Sequence, residues 1–257
     1  MNILILMAGE GKRFSDFGYK TPKPLIKVKG KTILEWTTES CPYIKHNTDQ
    51  QDENINLFFS VRKEHLEDGL ESFLHNIYGK NITIIPFDKT TRGNLDTARI
   101  SCDYMNDTKT PLLILDADNK YDHNKIDDFI KNTPNDISSM SIVCFNPIDS
   151  KIPNKWANAR VRNSIALEII EKDDSWVNYP CLIGVFYFPK MDQFKNYADF
   201  IFENLEPVGF SDKKEYYMSM IPRYHASINQ LVYVHTVKDV VPLGTPEDVI
   251  KFESSIL

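Results

Sequence analysis

The chain opens on a near-continuous apolar run, Asn2–Met7, the pattern of a strand buried on both faces of a parallel sheet. It breaks at Ala8-Gly9-Glu10-Gly11. Short apolar runs return at residues 25–28, 55–61, 82–86 and 111–115, each read as a strand. Helical patterns lie between them. Thr32 is placed to cap the first, with Glu35 completing a capping box and Pro42 ending it. Others cover about 64–77 and 93–105. This β-α alternation predicts a wound α/β sheet. Beyond Asp122 the pattern changes. A helix is expected at 126–131, then strands at 138–145, 157–161, 166–171 and 182–188, read as a mixed β region appended to the parallel half. Helices are expected at 191–204 and 216–225, a strand at 230–236, and a last helix at 245–254 with Pro246 in its first turn. No repeat, low-complexity tract or linker interrupts the chain. Residues 1–257 therefore read as one domain, with halves 1–122 and 123–257.

At 42% hydrophobic and 26% charged residues, the 257-residue chain has an ordinary globular composition. A net charge of −6 excludes a protein devoted to non-specific nucleic-acid binding. Against that acidic background, Lys12, Arg13, Lys20 and Lys23 cluster just after the first strand, which points to a small anionic ligand. The four cysteines, Cys41, Cys102, Cys144 and Cys181, contain no C-x-x-C pair, so no structural zinc site is expected. The histidines (His46, His65, His75, His123, His225 and His235) show no metal-binding spacing. The opening residues lack a basic leader and no apolar run reaches membrane length. The expectation is a reduced, cytoplasmic protein with neither membrane nor nucleic-acid partner.

The opening loop has three readings. A dinucleotide fold wants G-x-G-x-x-G, but Phe14 stands at the third glycine. A phosphate-binding P-loop wants G-x-x-x-x-G-K-[ST], and that spacing is absent. The third reading is G-x-G-x-R-F followed by P-K-P-L. The chain supplies Gly9, Gly11, Arg13 and Phe14, then Pro22-Lys23-Pro24-Leu25. In this two-part pattern the chain resembles the sugar-phosphate nucleotidylyltransferase superfamily. The resemblance implies a Rossmann-like, glycosyltransferase-A-like wound mixed sheet flanked by helices.

That chemistry joins a phosphate oxygen of an acceptor to the α-phosphorus of a nucleoside triphosphate, and pyrophosphate leaves. It needs cations and a carboxylate for a divalent ion, and no side-chain nucleophile. By resemblance, Ala8, Gly9 and Gly11 line the nucleotide, Arg13 holds the leaving phosphates, and Lys23 approaches the α- and β-phosphates. The buried run 112–115 ends in Asp116-Ala117-Asp118-Asn119, at the sheet edge where open α/β sheets bind ligands. The resemblance makes Asp118 the first choice and Asp116 the second for Mg²⁺, a hard cation that takes carboxylate oxygens. Gly93 matches a glycine segment that meets base and ribose, and Asn94 and Thr97 are further polar candidates. Glu171-Lys172 matches the family's acceptor-phosphate pair, and Gly184 a small residue beside the acceptor. Glu215-Tyr216-Tyr217 carries a weaker acceptor-side likeness.

The D-A-D-N form and Gly18-Tyr19 before Pro22 resemble short capsule and lipopolysaccharide enzymes, among them cytidylyltransferases acting on phosphocholine and on phosphoglutamine. CTP is thus the favoured nucleotide and a phosphorylated small molecule the acceptor; sugar-1-phosphate transfer is the alternative. One departure stands out. Two residues before Gly244-Thr245 the larger enzymes carry a second metal aspartate, and here Pro242 takes that place, with Asp239 the nearest substitute. A nucleotide-binding regulatory protein without catalysis is consistent with that loss. A glycosyltransferase would share the sheet and the carboxylate pair, but it has no need of the opening loop.

Overall fold

The computed structural model describes residues 1–48, 51–122, 129–135, 139–146, 156–171, 173–176, 178–210 and 213–255. Strand β1 (Asn2–Met7) is buried at every residue. Its side chains alternate between two cores, as the two-residue period of a strand requires. Leu4 and Leu6 join one cluster, and Ile3, Ile5 and Met7 join another on the opposite face.

The other strands of the main sheet are β2 (Asn56–Arg62), β3 (Ile82–Phe87), β4 (Leu112–Asp116), β5 (Ser139–Phe145), β6 (Ala157–Arg162), β7 (Ile165–Glu171), β8 (Cys181–Phe188) and β9 (Leu231–Thr236). Among the described residues they lie in the order β3-β2-β1-β4-β8-β5-β9-β7-β6. The first four are parallel. β8 runs antiparallel to both β4 and β5, whereas β9 is parallel to β5. β7 is antiparallel to both its neighbours. The strands after residue 138 are therefore not an appendage. β8 docks directly on β4 and extends the same sheet, giving the expected wound mixed α/β architecture.

Helices cover both faces. Leu95 and Ala98 of α5 (Asn94–Ser101), Phe194 and Ile201 of α6 (Met191–Asn204), and Ile221 of α7 (Met220–Ser227) pack into the first core. Leu34 of α2 (Ile33–Thr38) and Leu74 of α4 (Leu70–Tyr78) pack into the second. A third, smaller core holds Phe14 of α1 (Lys12–Asp16) against Leu243 and against Val249 and Phe252 of α8 (Pro246–Ser254). The N-terminal loop is thereby tied to the C-terminal helix.

Local chemistry accounts for the element ends. Thr32 and Glu35 form the expected capping box, and Thr245 with Asp248 forms a second. The helix after Thr32 stops at Thr38, short of Pro42; the Thr37 and Thr38 hydroxyls donate back to the Ile33 and Leu34 carbonyls at 3.1 and 2.8 Å. The helix expected over 64–77 is two, α3 (Lys63–Glu67) and α4, because Gly69 sits at φ 86° between them. Lys23–Leu25 forms a single 3-10 turn that follows Pro22 and contains Pro24, leaving only Lys27–Val28 as strand. Tyr216–Met218 is not helical, because its backbone is paired elsewhere, as described below. Part of the helix expected at 126–131, together with His123, Ser138 and Lys172, lies outside the described residues.

Candidate active site

The chain leaves β1, builds β2 and β3 on one side of it, then returns to build β4 on the other. The loops after β1 and β4 therefore diverge and leave a crevice at the strands' C-terminal ends, the switch point of an open sheet. A cavity of about 420 Å³ lies there. Ala8, Gly9, Gly11, Lys12, Arg13, Lys23, Gly93, Asn94, Asp116 and Asp118 all line it. Segments far apart in sequence thus meet in one place.

Gly11 has φ 64°, a left-handed turn that directs the chain from β1 into α1. A Cβ there would lie 3.5 Å from the Cβ of Lys23, an ordinary contact, so the left-handed backbone rather than space is what favours glycine. Arg13 and Lys12 project from α1 as exposed side chains at the cavity wall. Lys20 is not among the lining residues.

Lys23 Nζ donates to Asp118 Oδ2 at 2.6 Å, across 95 residues of sequence. Both side chains are only about a quarter exposed, at 22% and 28%. Asp118 is held on its other sides. Asn119 Nδ2 donates to Oδ1 at 2.9 Å, and Leu243 N donates to the Asp118 carbonyl at 2.8 Å. A Cβ on Gly244 would come within 3.1 Å of Oδ2. Pro242 pairs with Asn119 in a short antiparallel ladder, so it supports the Asp118 turn through backbone alone. Asp239 is exposed at φ 56° and is not among the lining residues.

Asp116 ends β4 and is half-buried. Its carboxyl is pushed up to about 7, first by desolvation and next by the charge of Asp118, while Lys23 and a hydrogen bond from Asn94 act the other way. Gly184, at φ 77°, makes room for it: a Cβ there would sit 2.2 Å from Asp116 Oδ2. The glycine lies where the β8–β5 ladder shifts register between Leu182 and Phe186. The space that Gly184 opens is thus filled by Asp116.

The far wall is built by two segments. Gly93 has φ 136° and lies against the backbone of Tyr216, which a Cβ would strike at 2.4 Å. Asn94 Oδ1 accepts from Met218 N at 2.9 Å. Thr91 and Thr97 share a 2.7 Å hydroxyl contact, and Thr90 Oγ1 donates to Glu10 Oε1 at 2.5 Å, bridging this wall to the glycine loop. Tyr217 and Glu215 line the same side. Burial pushes the Tyr217 phenol upward, with Glu215 and Glu171 adding to the shift and Arg13 opposing it. Glu171 Oε2 accepts from Ser219 Oγ at 2.6 Å; Lys172 lies outside the described residues.

Sequence reasoning gave no role to Glu10 or Gly244, and none of their own to Asn119 within the D-A-D-N turn or to Thr90 and Thr91 just before Gly93. Gly244 carried a signal, as half of the Gly-Thr pair beside Pro242. The others become visible only once the loops are brought together.

Among the described residues no group of three or more His, Cys, Asp or Glu side chains forms a metal cage. Instead, two carboxylates face an open cavity beside loop cations. Mg²⁺ retains waters and takes one or two carboxylates plus phosphate oxygens, so the set fits that ion bound together with a phosphate ligand. The like charge of Asp118, the second cause of the Asp116 shift after desolvation, is one that a divalent cation held there would offset. Among the described residues, no helix is long and apolar enough to cross a membrane.

Solved structures share this fold. A nucleoside-diphosphate-sugar pyrophosphorylase from Vibrio cholerae RC9 aligns with TM-score 0.77 at 17% identity, over 99% of this chain and 100% of its own. The inositol-1-phosphate CTP transferase from T. maritima aligns with TM-score 0.68 at 16% identity, over 100% and 97%. A UDP-glucose pyrophosphorylase solved with UDP-glucose aligns with TM-score 0.69 at 13% identity, over 98% and 96%. No curated protein matches in sequence. The nucleotidyl transferase family matches residues 2–240. With that match spanning nearly the whole chain, this protein belongs to the nucleotidyl transferase family.

Proposed function

We propose that the chain is a Mg²⁺-dependent cytidylyltransferase that joins CTP to a phosphorylated small acceptor, with phosphoglutamine the best specific candidate. The observation that carries the reading is the 2.6 Å contact between Lys23 and Asp118. It brings the cation of the P-K-P-L segment and the carboxylate of the D-A-D-N turn to one point beneath the glycine loop.

In this reading an oxygen of the acceptor's phosphate attacks the α-phosphorus of CTP. The bond from that phosphorus to the oxygen bridging to the β-phosphate breaks, and pyrophosphate leaves with the electron pair. Backbone amides of Ala8, Gly9 and Gly11 admit the triphosphate closely. Arg13 at the rim holds the departing phosphates through its planar fork of donors. Lys23 lies low enough to meet the oxygens between the α- and β-phosphates, where charge builds as the bond breaks. Asp118 and Asp116 hold the metal, which when bound neutralises charge on the phosphates and orients them. Gly93 and Asn94 face the nucleoside side. Glu171 and Lys172 serve the acceptor side, as the family likeness implies. Support for CTP comes from the D-A-D-N form and from the T. maritima neighbour, itself a CTP transferase.

A panel of CTP, UTP, GTP, dTTP and ATP against phosphoglutamine, phosphocholine and hexose 1-phosphates, read by pyrophosphate release, tests this. The expected result is the highest kcat/KM with CTP and phosphoglutamine. Preference for UTP or dTTP with a hexose 1-phosphate assigns the chain to sugar-phosphate activation instead. Nucleotide binding with no release for any pair rejects catalysis.

A further inference from the structure

Arg92 stands outside the cavity yet beside everything that shapes its far wall. Its guanidinium packs over the Phe202 ring at 4.5 Å and the Tyr216 ring at 5.2 Å. On its remaining edge it forks onto Asp96, with Nη2 to Oδ1 at 2.9 Å and Nε to Oδ2 at 3.1 Å. Its backbone takes part as well: Tyr216 N donates to the Arg92 carbonyl at 2.8 Å, and Leu95 N donates to the Tyr216 carbonyl at 3.0 Å. Met218 N then reaches Asn94 Oδ1 at 2.9 Å, across 124 residues. Gly93 allows the two backbones to meet.

We propose that Arg92 is a positioning residue for both substrates, acting as a bolt that holds segment 92–97 and segment 215–218 as one unit. The first segment carries Asn94 and Thr97 into the cavity, and the second carries Glu215 and Tyr217. The inference rests on the reading of that cavity as the two-substrate site. Loosening the bolt lets both segments sample conformations that neither substrate fits. When only a fraction of molecules is competent, apparent affinity falls by that fraction, equally for every ligand of the unit. At saturation the substrates select the competent form, so kcat is nearly preserved.

The Arg92 side chain is 57% exposed, so replacing it leaves no buried hole. Arg92→Met is expected to raise KM for the nucleotide and for the acceptor by the same factor, each measured with the other substrate held far below saturation so that it does not itself select the competent form, by about tenfold for the loss of a two-ring cation contact and its fork. Arg92→Lys keeps a charge opposite Asp96 but not the planar stack; it should give a smaller, again matched, rise. Phe202→Leu removes one stacking face and keeps the ion pair, so it remains informative should Arg92→Met fold poorly. A rise in one KM alone, or a fall in kcat at unchanged KM, overturns the proposal; the latter is what simple loss of folded protein produces. Hydrogen–deuterium exchange decides the question independently of turnover. Peptides covering 90–98 and 213–219 should both exchange faster in Arg92→Met than in the wild type. Unchanged exchange, or change in only one, refutes the bolt. Absence of pyrophosphate release from the wild type refutes the reading of the cavity instead.

Discussion

Gly184→Ala offers a quantitative test of how Asp116 is placed. The residue sits at φ 77°, and an added methyl lies 2.2 Å from Asp116 Oδ2 and 2.6 Å from its Cβ. Holding alanine in the left-handed region costs about 1–2 kcal/mol. Ordinary contact begins near 3.4 Å, so Asp116, its Cβ included, must withdraw by about 1 Å, and a shift of that size at a reacting centre costs on the order of 10²-fold in rate. The methyl displaces Asp116 and with it the end of β4, beyond the β8–β4 pairs that run from Val185–Leu115 onward. The expected outcome is a roughly 100-fold loss of kcat/KM in a pyrophosphate-release assay. Stability should fall by about 2 kcal/mol, or about 4–8 °C in Tm. In an Asp116→Ala background the same change should cost little further turnover, because its effect runs through that carboxylate. Near-normal turnover of Gly184→Ala, or additive losses in the double variant, would refute the assignment.

Lys23→Met and Asp118→Asn should each reduce turnover by about 100-fold or more. Each should shift stability by only about 1 kcal/mol in chemical denaturation, since the pair is part-exposed; wild-type turnover in either variant removes it from the site. The Asp116 carboxyl, raised to about 7 from its ordinary 3.8, sets a pH dependence. Between about pH 4 and 7 the unfolded chain has lost this proton and the folded chain retains it. In divalent-free buffer stability should therefore fall as pH rises through that window, by at most about 1.4 kcal/mol per pH unit. Asp116→Asn should flatten the curve, and an unchanged slope would locate the effect elsewhere. Thr32→Ala serves as a control away from the cavity. Losing the capping box should cost about 1 kcal/mol in thermal unfolding at unchanged kcat/KM.

The parts legible in the sequence are those set by local spacing. The apolar run of β1, the Thr32–Glu35 box and the glycine loop with its cations each occupy a few neighbouring residues whose chemistry specifies their geometry. The end of a buried strand pointed to Asp116 and Asp118 together, and the family resemblance, not the pattern, put Asp118 first; both line the cavity. What escaped depends on pairing between distant segments. Strands after residue 138 looked like an appendage because nothing in their pattern says that β8 docks on β4. Tyr216 looked helical because its apolar neighbours repeat at helical spacing, yet its backbone donor and acceptor go to Arg92 and Leu95. Gly184 is a similar case: the sequence marks a small residue, and only the β8–β4 register reveals Asp116 as the group that needs the space. The Gly69 break was overlooked for a simpler reason. A single glycine in an otherwise helical pattern is often tolerated, and here it adopts φ 86° instead.

The proposed activity requires the cations of residues 8–23 and the carboxylates of the 116–118 turn to act as one site that moves a nucleotidyl group onto a phosphate. Phosphorus NMR of the wild-type protein with Mg²⁺, CTP and phosphoglutamine tests it most directly. The expected result is loss of the triphosphate resonances, growth of pyrophosphate, and an equal amount of a new phosphoanhydride-linked phosphate pair joining the two substrates. A triphosphate left intact with every acceptor tried, or one hydrolysed to diphosphate and inorganic phosphate with no joined product, would contradict it.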